Sequence, residues 1–303
     1  MDLSAIMTMD FEDDGLGENE FKKMKEKKSS VDLSKFVLDD TLSDAARNKI
    51  LMQTGTHIQL ICAFSSLARI AINEIVPEGE RTPAQMREVV SENWASDVQD
   101  LFDTAVACVT DTATDDDIVR RAVGSAMTVA QYMALHPVSS GGTNEAAVGR
   151  VATQFMRLAL AVLSRTSEVS TGTPARRMSS PRSPPKSADL HKPTSSGGSA
   201  AELAREALPQ LMCFVPAGSM LALAVPMCQM MADVSRSDDN RRVATEILGS
   251  IVHAGTLSDL QIEELLLPLV LQLCQDVSAD VRESMSLQLN YIIRSLSTPR
   301  LVD

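Results

Sequence analysis

The C-terminal part of the chain carries apolar residues at helical spacing on both sides of a short turn. Residues 265–296 predict two amphipathic helices, with Asp276 just before the turn and Arg282 just after it. One such pair cannot bury its own apolar surface, because each helix offers a single apolar stripe that needs a partner. The pattern therefore predicts further pairs stacked against this one, and an extended surface for other proteins rather than a catalytic pocket.

A second copy of this pattern lies upstream at a constant offset. Pro226 stands 42 residues before Pro268, and Arg241 stands 41 residues before Arg282, a spacing typical of HEAT and armadillo repeats. A weaker third copy contains Arg120. We therefore predict an all-α fold, an α-solenoid of about four to five HEAT-like helix pairs. After each arginine, apolar residues recur three, seven and ten positions on, which places them on one helix face: Val123, Met127 and Ala130; Ala244, Leu248 and Ile251; Met285, Leu289 and Ile292.

The turn of the last copy contains a carboxylate and a guanidinium six residues apart. We predict that Asp276 and Arg282 form a bidentate ion pair that fixes this turn. The equivalent positions before Arg241 and Arg120 hold uncharged residues, so a ladder of such pairs along the stack would be broken. The alternative role for Asp276 and Arg282 is direct contact with a partner protein.

Composition fits an aliphatic helical interior and argues against several classes of partner. The chain is 44% hydrophobic but only 3% aromatic, with 16 methionines. Its net charge of −12 removes the counterion-release term that drives binding to phosphate backbones, so we predict no nucleic-acid partner. The first twenty residues hold seven acids and no base, the reverse of a secretory signal. The five widely spaced cysteines have no C-x-x-C pair and are predicted to be reduced core residues of a cytoplasmic protein.

Changes in composition divide the chain into four parts. Residues 1–40 predict a disordered charged tail, whose basic run at 22–28 is either a solvated segment or a nuclear localisation signal. Residues 41–168 and 200–298 predict N-terminal and C-terminal HEAT-like repeats, separated by a disordered, basic, Ser/Pro-rich insertion at 169–199. We expect helices near 43–54, 56–75, 84–110, 116–135 and 143–167, and helical sequence resumes at 200–214.

The insertion carries five basic residues against one acid. We expect it to join the two helices of one repeat, where solenoids tolerate extra residues. Ser180 and Ser183 each precede proline, as in proline-directed kinase sites, and Ser179 follows two arginines at basophilic spacing. Phosphorylation there would remove much of the local positive charge. The alternative is a plain linker, because such short matches are common in sequence of this composition.

Residues 211–231 contain no charged residue and are long enough to cross a bilayer. They also contain Pro216, Gly218 and Pro226, and they overlap the repeat register. We therefore predict two buried helices joined by a turn near Pro216 and Gly218, with a membrane span as the alternative. No membrane insertion is expected.

The sequence offers little that could carry catalysis. No G-x-S-x-G, P-loop or G-x-G-x-x-G motif occurs, and the four histidines have no Cys or carboxylate partner at metal or triad spacing. We predict that the chain is not an enzyme and needs no cofactor. Acids stand where turns are expected, and they either cap the following helices or form a partner-facing edge. The candidate partner-binding residues of these turns are Asp115, Asp116, Asp117, Asp238, Asp239, Arg241 and Asp280.

Three segments resemble one known family. Residues 267–289, LPLVLQLCQDVSADVRESMSLQL, are similar to a HEAT unit of the protein phosphatase 4 regulatory subunit 4 family. Residues 41–55, TLSDAARNKILMQTG, resemble its N-terminal segment, and residues 242–249, RVATEILG, resemble its preceding repeat. Similarity covers about 41–75 and 205–296, and the chain looks like a short or truncated member.

The resemblance implies a non-catalytic regulatory or scaffold subunit in the cytoplasm. It would bind the catalytic subunit of a protein phosphatase 4-type Ser/Thr phosphatase, direct its substrate choice or location, and meet phosphoprotein clients through it. The catalytic metals would belong to that partner. The alternative is a HEAT-repeat adaptor for a transport or cytoskeletal assembly, with no phosphatase partner. The turns at 111–117, 236–240 and 278–280 are the expected contact region.

Overall fold

The chain is all-helical over the residues that the structure describes. The computed structural model describes residues 42–76, 81–83, 94–136, 144–169 and 199–297, and no strand occurs among them. The all-α prediction is therefore confirmed for this part of the chain. The helices whose bounds are given are α1 (Asp44–Thr54), α2 (His57–Ile75), α3 (Trp94–Thr110), α4 (Asp116–Leu135), α5 (Asn144–Val169), α6 (Ala200–Met212), α7 (Ala217–Ala232), α8 (Asp238–Ala254), α9 (259–274) and α10 (Ala279–Ser297).

The helix bounds predicted from periodicity are close to those observed. Helices α1, α2 and α4 begin and end within one residue of the prediction, and α5 continues two residues further. Helix α3 ends at Thr110 as predicted, whereas its predicted first turns, 84–93, lie outside the described residues. The predicted tail at 1–40 and nearly all of the insertion at 169–199 also lie outside them. The candidate phosphorylation sites Ser179, Ser180 and Ser183 belong to that part of the insertion.

Polar side chains define where the helices start. Ser43 Oγ accepts a hydrogen bond from the Ala46 amide (3.1 Å) at the start of α1, and Ser237 Oγ accepts one from the Asn240 amide (3.3 Å) at the start of α8. Each such cap stabilises a helix by about 1 kcal/mol. Reciprocal capping boxes begin α2, α6 and α9, formed by Thr56 with Gln59, Ser199 with Glu202, and Ser258 with Gln261.

Helices α7 and α9 share one irregularity at the same repeat position. Each contains a π-helical segment, Met220–Ala224 in α7 and Ile262–Leu266 in α9, that ends two residues before a proline. Proline lacks an N–H, and its ring clashes with the carbonyl group four residues earlier, so a wider turn accommodates it. The offset between Pro226 and Pro268 therefore links two segments of equal local structure.

Helix contacts follow chain order in two layers. The even-numbered helices form one series, in which α2 packs on α4, α4 on α6, α6 on α8 and α8 on α10. In the other layer α1 packs on α3, α3 packs on α5, and α7 lies beside α9. Each odd-numbered helix also packs against the even-numbered helix that follows it, which gives five pairs within the described residues. The insertion joins α5 to α6, which pack against each other.

The apolar faces predicted from the repeat lie in one core. Ala244, Leu248 and Ile251 are fully buried, and Phe102 of α3 packs edge-on against Phe155 of α5 with ring centroids 4.9 Å apart. The prediction that these three residues of α8 share one helix face agrees with their burial. The equivalent residues of α4 and α10 are Val123, Ala130, Met285 and Ile292, which are buried, and Met127 and Leu289, which are partly buried against the core.

The apolar stretch at 211–231 is interrupted by a turn. Helix α6 ends at Met212, and α7 begins at Ala217 after Pro216, as the two-helix prediction expects. Two other helices, His57–Ile75 and Glu145–Arg165, are long and apolar enough to cross a membrane by length and composition alone. Core helices of soluble proteins pass the same test, so these two carry little evidence about a membrane.

We expect Gly255→Ala to lower the free energy of unfolding by about 1 kcal/mol, because Gly255 ends α8 in the left-handed region (φ 67°). A methyl group there meets only ordinary contacts, so backbone strain causes the loss. Gly218→Ala is the matched control, since a methyl group at Gly218 meets no atom within 4 Å. The control should be neutral or stabilising in urea denaturation. An equal loss in both variants would contradict the prediction.

Candidate protein-binding edge

The turn between α3 and α4 lies beside the start of α2 and the end of α5. His57, the first residue of α2, places Nε2 3.3 Å from Oδ2 of Asp115 in the turn between α3 and α4. Arg165, near the end of α5, donates to the carbonyl oxygens of Val109 (3.4 Å) and Thr114 at the same turn. The α3–α4 turn is thus held by contacts from both neighbouring pairs.

The turns of the last two pairs are joined by a buried ion pair. Arg241 of α8 donates to the Asp276 carboxylate from Nε (2.7 Å) and Nη2 (2.9 Å), and the two side chains are only 4% and 3% exposed. Nη2 also donates to Asp238 Oδ1 (2.8 Å), and the Ser278 amide donates to Asp276 Oδ1 (2.8 Å). The hydrogen bond from Arg241 lowers the pKa of Asp276 below its ordinary value, and the same bond raises the pKa of Arg241.

The predicted carboxylate pair between Asp276 and Arg282 is wrong. Arg282 Nη1 donates instead to the backbone carbonyl oxygens of Asp276 (2.6 Å) and Val277 (3.1 Å), so it fixes the turn through the backbone. The Asp276 carboxylate is engaged by Arg241, whose buried guanidinium depends more on a paired anion than the exposed Arg282 does. Arg241 has no carboxylate partner in its own turn, as predicted, but it does have one from the following pair.

Arginines at equivalent repeat positions bind equivalent turn carbonyls. Arg241 Nη1 donates to the Arg236 carbonyl oxygen, and Arg282 Nη1 donates to that of Val277, five residues back in each case. Arg120 differs, since it is exposed and contacts Asp117 Oδ1 (3.0 Å). Arg165, which the sequence analysis missed, reaches the carbonyl oxygens of that turn from α5. No spacing along one helix could identify it, because it lies on the next pair.

The acids of the predicted partner-binding turns occupy helix starts. Asp115 is the N-cap of α4, and its Oδ1 accepts a hydrogen bond from the Asp117 amide (3.1 Å), which confirms the capping role for this residue. Helix α8 is capped by Ser237 instead of by an acid. Negative charge in a first turn interacts favourably with the helix dipole. These exposed acids form what we term the acidic edge: Asp115, Asp116, Asp117, Asp238, Asp239 and Asp280.

The cysteines differ from the prediction of a uniform core role. Cys228 is buried, its Sγ donates to the Ala244 carbonyl oxygen (3.3 Å), and burial raises the pKa of its thiol to about 12. Cys62 and Cys213 are exposed, so the core assignment is wrong for both. Cys62 lies on the exposed side of α2 and Cys213 directly follows the last residue of α6, so apolar neighbours along the sequence do not imply burial at either position. The exposed positions of the described histidines, His57, His136 and His253, agree with the prediction of turn or helix-surface residues.

Neither a metal cluster nor a relative identifies the chemistry of this edge. Among the residues that the structure describes, no three His, Cys, Asp or Glu side chains come together as a metal site requires. No protein-family model, curated protein or solved structure matches the chain. The relation to the protein phosphatase 4 regulatory subunit 4 family stays a prediction from sequence motifs. The function is therefore argued from the fold and from the contacts described above.

Proposed function

We propose that the chain is an α-solenoid of five HEAT-like helix pairs that serves as a non-catalytic scaffold for a protein phosphatase 4-type catalytic subunit. The observation that supports it best is the structural equivalence of the last two pairs. They share a π-helical segment before proline, an arginine bound to the carbonyl group five residues back, and an apolar face, all at an offset of 41 or 42 residues. A stack of such pairs presents a continuous edge and face to other proteins.

The scaffold works by position rather than by chemistry. The catalytic subunit supplies the metal-dependent hydrolysis, and this chain brings it and its phosphoprotein clients together, which raises their effective concentration. We assign the catalytic subunit to the acidic edge, two of whose turns, α7–α8 and α9–α10, are joined by the Arg241–Asp276 pair. The interaction takes place in the cytoplasm and involves neither nucleic acid nor membrane insertion. Complementary charge on the partner would steer association and fix its orientation.

We expect the tagged full chain to retain a protein phosphatase 4-type catalytic subunit from cytosol. The triple variant Asp116→Lys, Asp239→Lys, Asp280→Lys should reduce this retention by about tenfold or more, because each change reverses an exposed charge of the acidic edge. The matched control reverses three exposed acids outside the acidic edge, Glu145→Lys, Glu206→Lys and Glu264→Lys. The control variant should retain the phosphatase. Mass spectrometry measures how much phosphatase each of the two triple variants retains.

Two results would count against this assignment. If the folded wild-type chain retains transport or cytoskeletal components and no phosphatase, the chain is an adaptor for another assembly. If both triple variants lose the phosphatase equally, the overall negative charge rather than the acidic edge carries binding. Far-UV circular dichroism confirms that each variant keeps its helices, so that loss of binding is not loss of fold.

A further inference from the structure

A groove of about 900 Å³ lies on the face formed by the even-numbered helices. It runs between α2 and α4 and reaches α6, and we call it the α2–α4 groove. Its apolar lining includes Ile61 and Ile72 of α2 and Leu203 of α6. These residues are only partly buried, so the groove offers both apolar contact and access from solvent.

The charge of the groove is opposite to that of the chain. Arg69, Arg120 and Arg121 line it, and among the lining residues that the structure describes the only acid is Asp117, although the chain carries a net charge of −12. Arg121 makes no ion pair or hydrogen bond with any residue that the structure describes, and it is exposed. The exposed acids of α6, Glu202 and Glu206, do not line the groove. Positive charge is thus concentrated where three helices meet.

Two of these arginines already contact carboxylates of the chain, and this favours phosphate over carboxylate as a ligand. Arg120 contacts Asp117 (3.0 Å), and Arg69 contacts Asp44. A ligand must compete with these carboxylates. A phosphate carries a charge of about −1.5 to −2 and three acceptor oxygens, so it competes better than a partner's aspartate or glutamate would. Guanidinium groups bind phosphate through two parallel hydrogen bonds, which is the usual mode in phosphopeptide recognition.

The middle of α4 is open to a ligand at Gly124. A Cβ atom added there meets no other atom within 4 Å, so no neighbouring group in the described residues requires a glycine. Glycine inside a helix costs about 0.5–1 kcal/mol relative to alanine. Helix stability therefore does not explain this residue. Its missing side chain leaves room for another backbone to approach α4 beside Arg120 and Arg121.

We propose that the α2–α4 groove binds a phosphorylated segment of a partner protein, with its phosphate at Arg120 and Arg121 and a neighbouring apolar residue against Ile72 and Leu203. The groove thereby recruits phosphoprotein clients directly, which deepens the proposed scaffold function and rests on it. It does not depend on which catalytic subunit the acidic edge binds.

The test measures binding of the full chain to three fluorescent peptide pools. Their flanks are randomised, and the fixed central residue is phosphoserine, serine or glutamate. We expect the phosphoserine pool to bind about tenfold or more tightly than the other two, and Arg121→Ala to weaken it by about tenfold. Arg121→Lys should lose part of this affinity, because it keeps the charge but not the planar fork. Arg236→Ala, a change at the α7–α8 turn outside the groove, should bind like the wild type.

Gly124 provides the steric test. Gly124→Trp should fill the groove and abolish binding of the phosphoserine pool, whereas Gly124→Ala should bind normally and should not be less stable. Equal binding of the serine and phosphoserine pools would overturn the proposal. So would unchanged binding by Gly124→Trp, or equal competition by RNA or anionic vesicles. Phosphatase retention by Gly124→Trp separates the two proposals, because it should stay at the wild-type level even when peptide binding is lost.

Discussion

Replacing Arg241 by methionine is expected to lower the free energy of unfolding by about 3–5 kcal/mol. The change leaves the Asp276 carboxylate buried without the guanidinium that contacts both of its oxygens. Removing one partner of a buried pair costs this much because the remaining charge keeps its desolvation penalty without its compensation. Urea denaturation followed by circular dichroism measures the loss without adding salt that would screen the other ion pairs.

The repeat supplies a matched control for this variant. Arg120 occupies the equivalent position of α4, but its contact with Asp117 is exposed. Arg120→Met should therefore lower the free energy of unfolding by about 1 kcal/mol or less. The double variant Arg241→Met, Asp276→Leu should recover most of the loss, because no unpaired charge remains buried. Equal losses in Arg241→Met and Arg120→Met would show that the buried contact does not contribute as described.

The pH dependence gives the same pair a second readout. The pKa of Asp276 is lower in the folded chain than its ordinary value of 3.8. Its stabilising contribution is therefore fully present above the unfolded pKa and is lost as the pH falls through the folded one. Below about pH 4 the wild type should therefore lose stability relative to the double variant, which lacks this carboxylate. A difference that stays constant there would argue against a charged Asp276.

Local signals predicted the helices and their register. Capping residues, prolines and apolar spacing act within one or two turns, so bounds such as those of α2 and α4 follow from the sequence alone. The common offset also predicted which residues face the core, and the burial of Ala244, Leu248 and Ile251 agrees. These features depend on neighbours along the chain, which the sequence displays directly.

Contacts between pairs were predicted poorly, because they join residues that are far apart in the sequence. Asp276 was assigned to Arg282, six residues away, whereas its carboxylate contacts Arg241, 35 residues away. A usable signal existed, since that separation equals the 41-residue offset between Arg241 and Arg282 minus the six residues between Asp276 and Arg282. Arg165 and the α2–α4 groove lacked even this signal. Both depend on how neighbouring pairs pack, which the spacing along one helix does not determine.

Replacing Phe155 by alanine is expected to lower the free energy of unfolding by about 3–5 kcal/mol. In a stacked array this loss of stability should be confined to the neighbouring helices. Phe155 and Phe102 are fully buried and join α5 to α3 edge to face, so truncation removes the ring contact and leaves a cavity. In a solenoid, stability is a sum of pair terms and nearest-neighbour interfaces. The loss should therefore fall mainly on the helices around this contact.

Hydrogen exchange measured by mass spectrometry distinguishes a stacked array from a single cooperative core. In Phe155→Ala, amide protection should drop in α3, α4 and α5, while α8 and α10 should keep most of theirs. Phe155→Leu, which fills most of the space, should show the same pattern with a smaller loss. Equal loss of protection in α10 would mean that all five pairs unfold together. The whole stack would then be a single cooperative unit of unfolding. The nearest-neighbour description on which the solenoid proposal depends would fail.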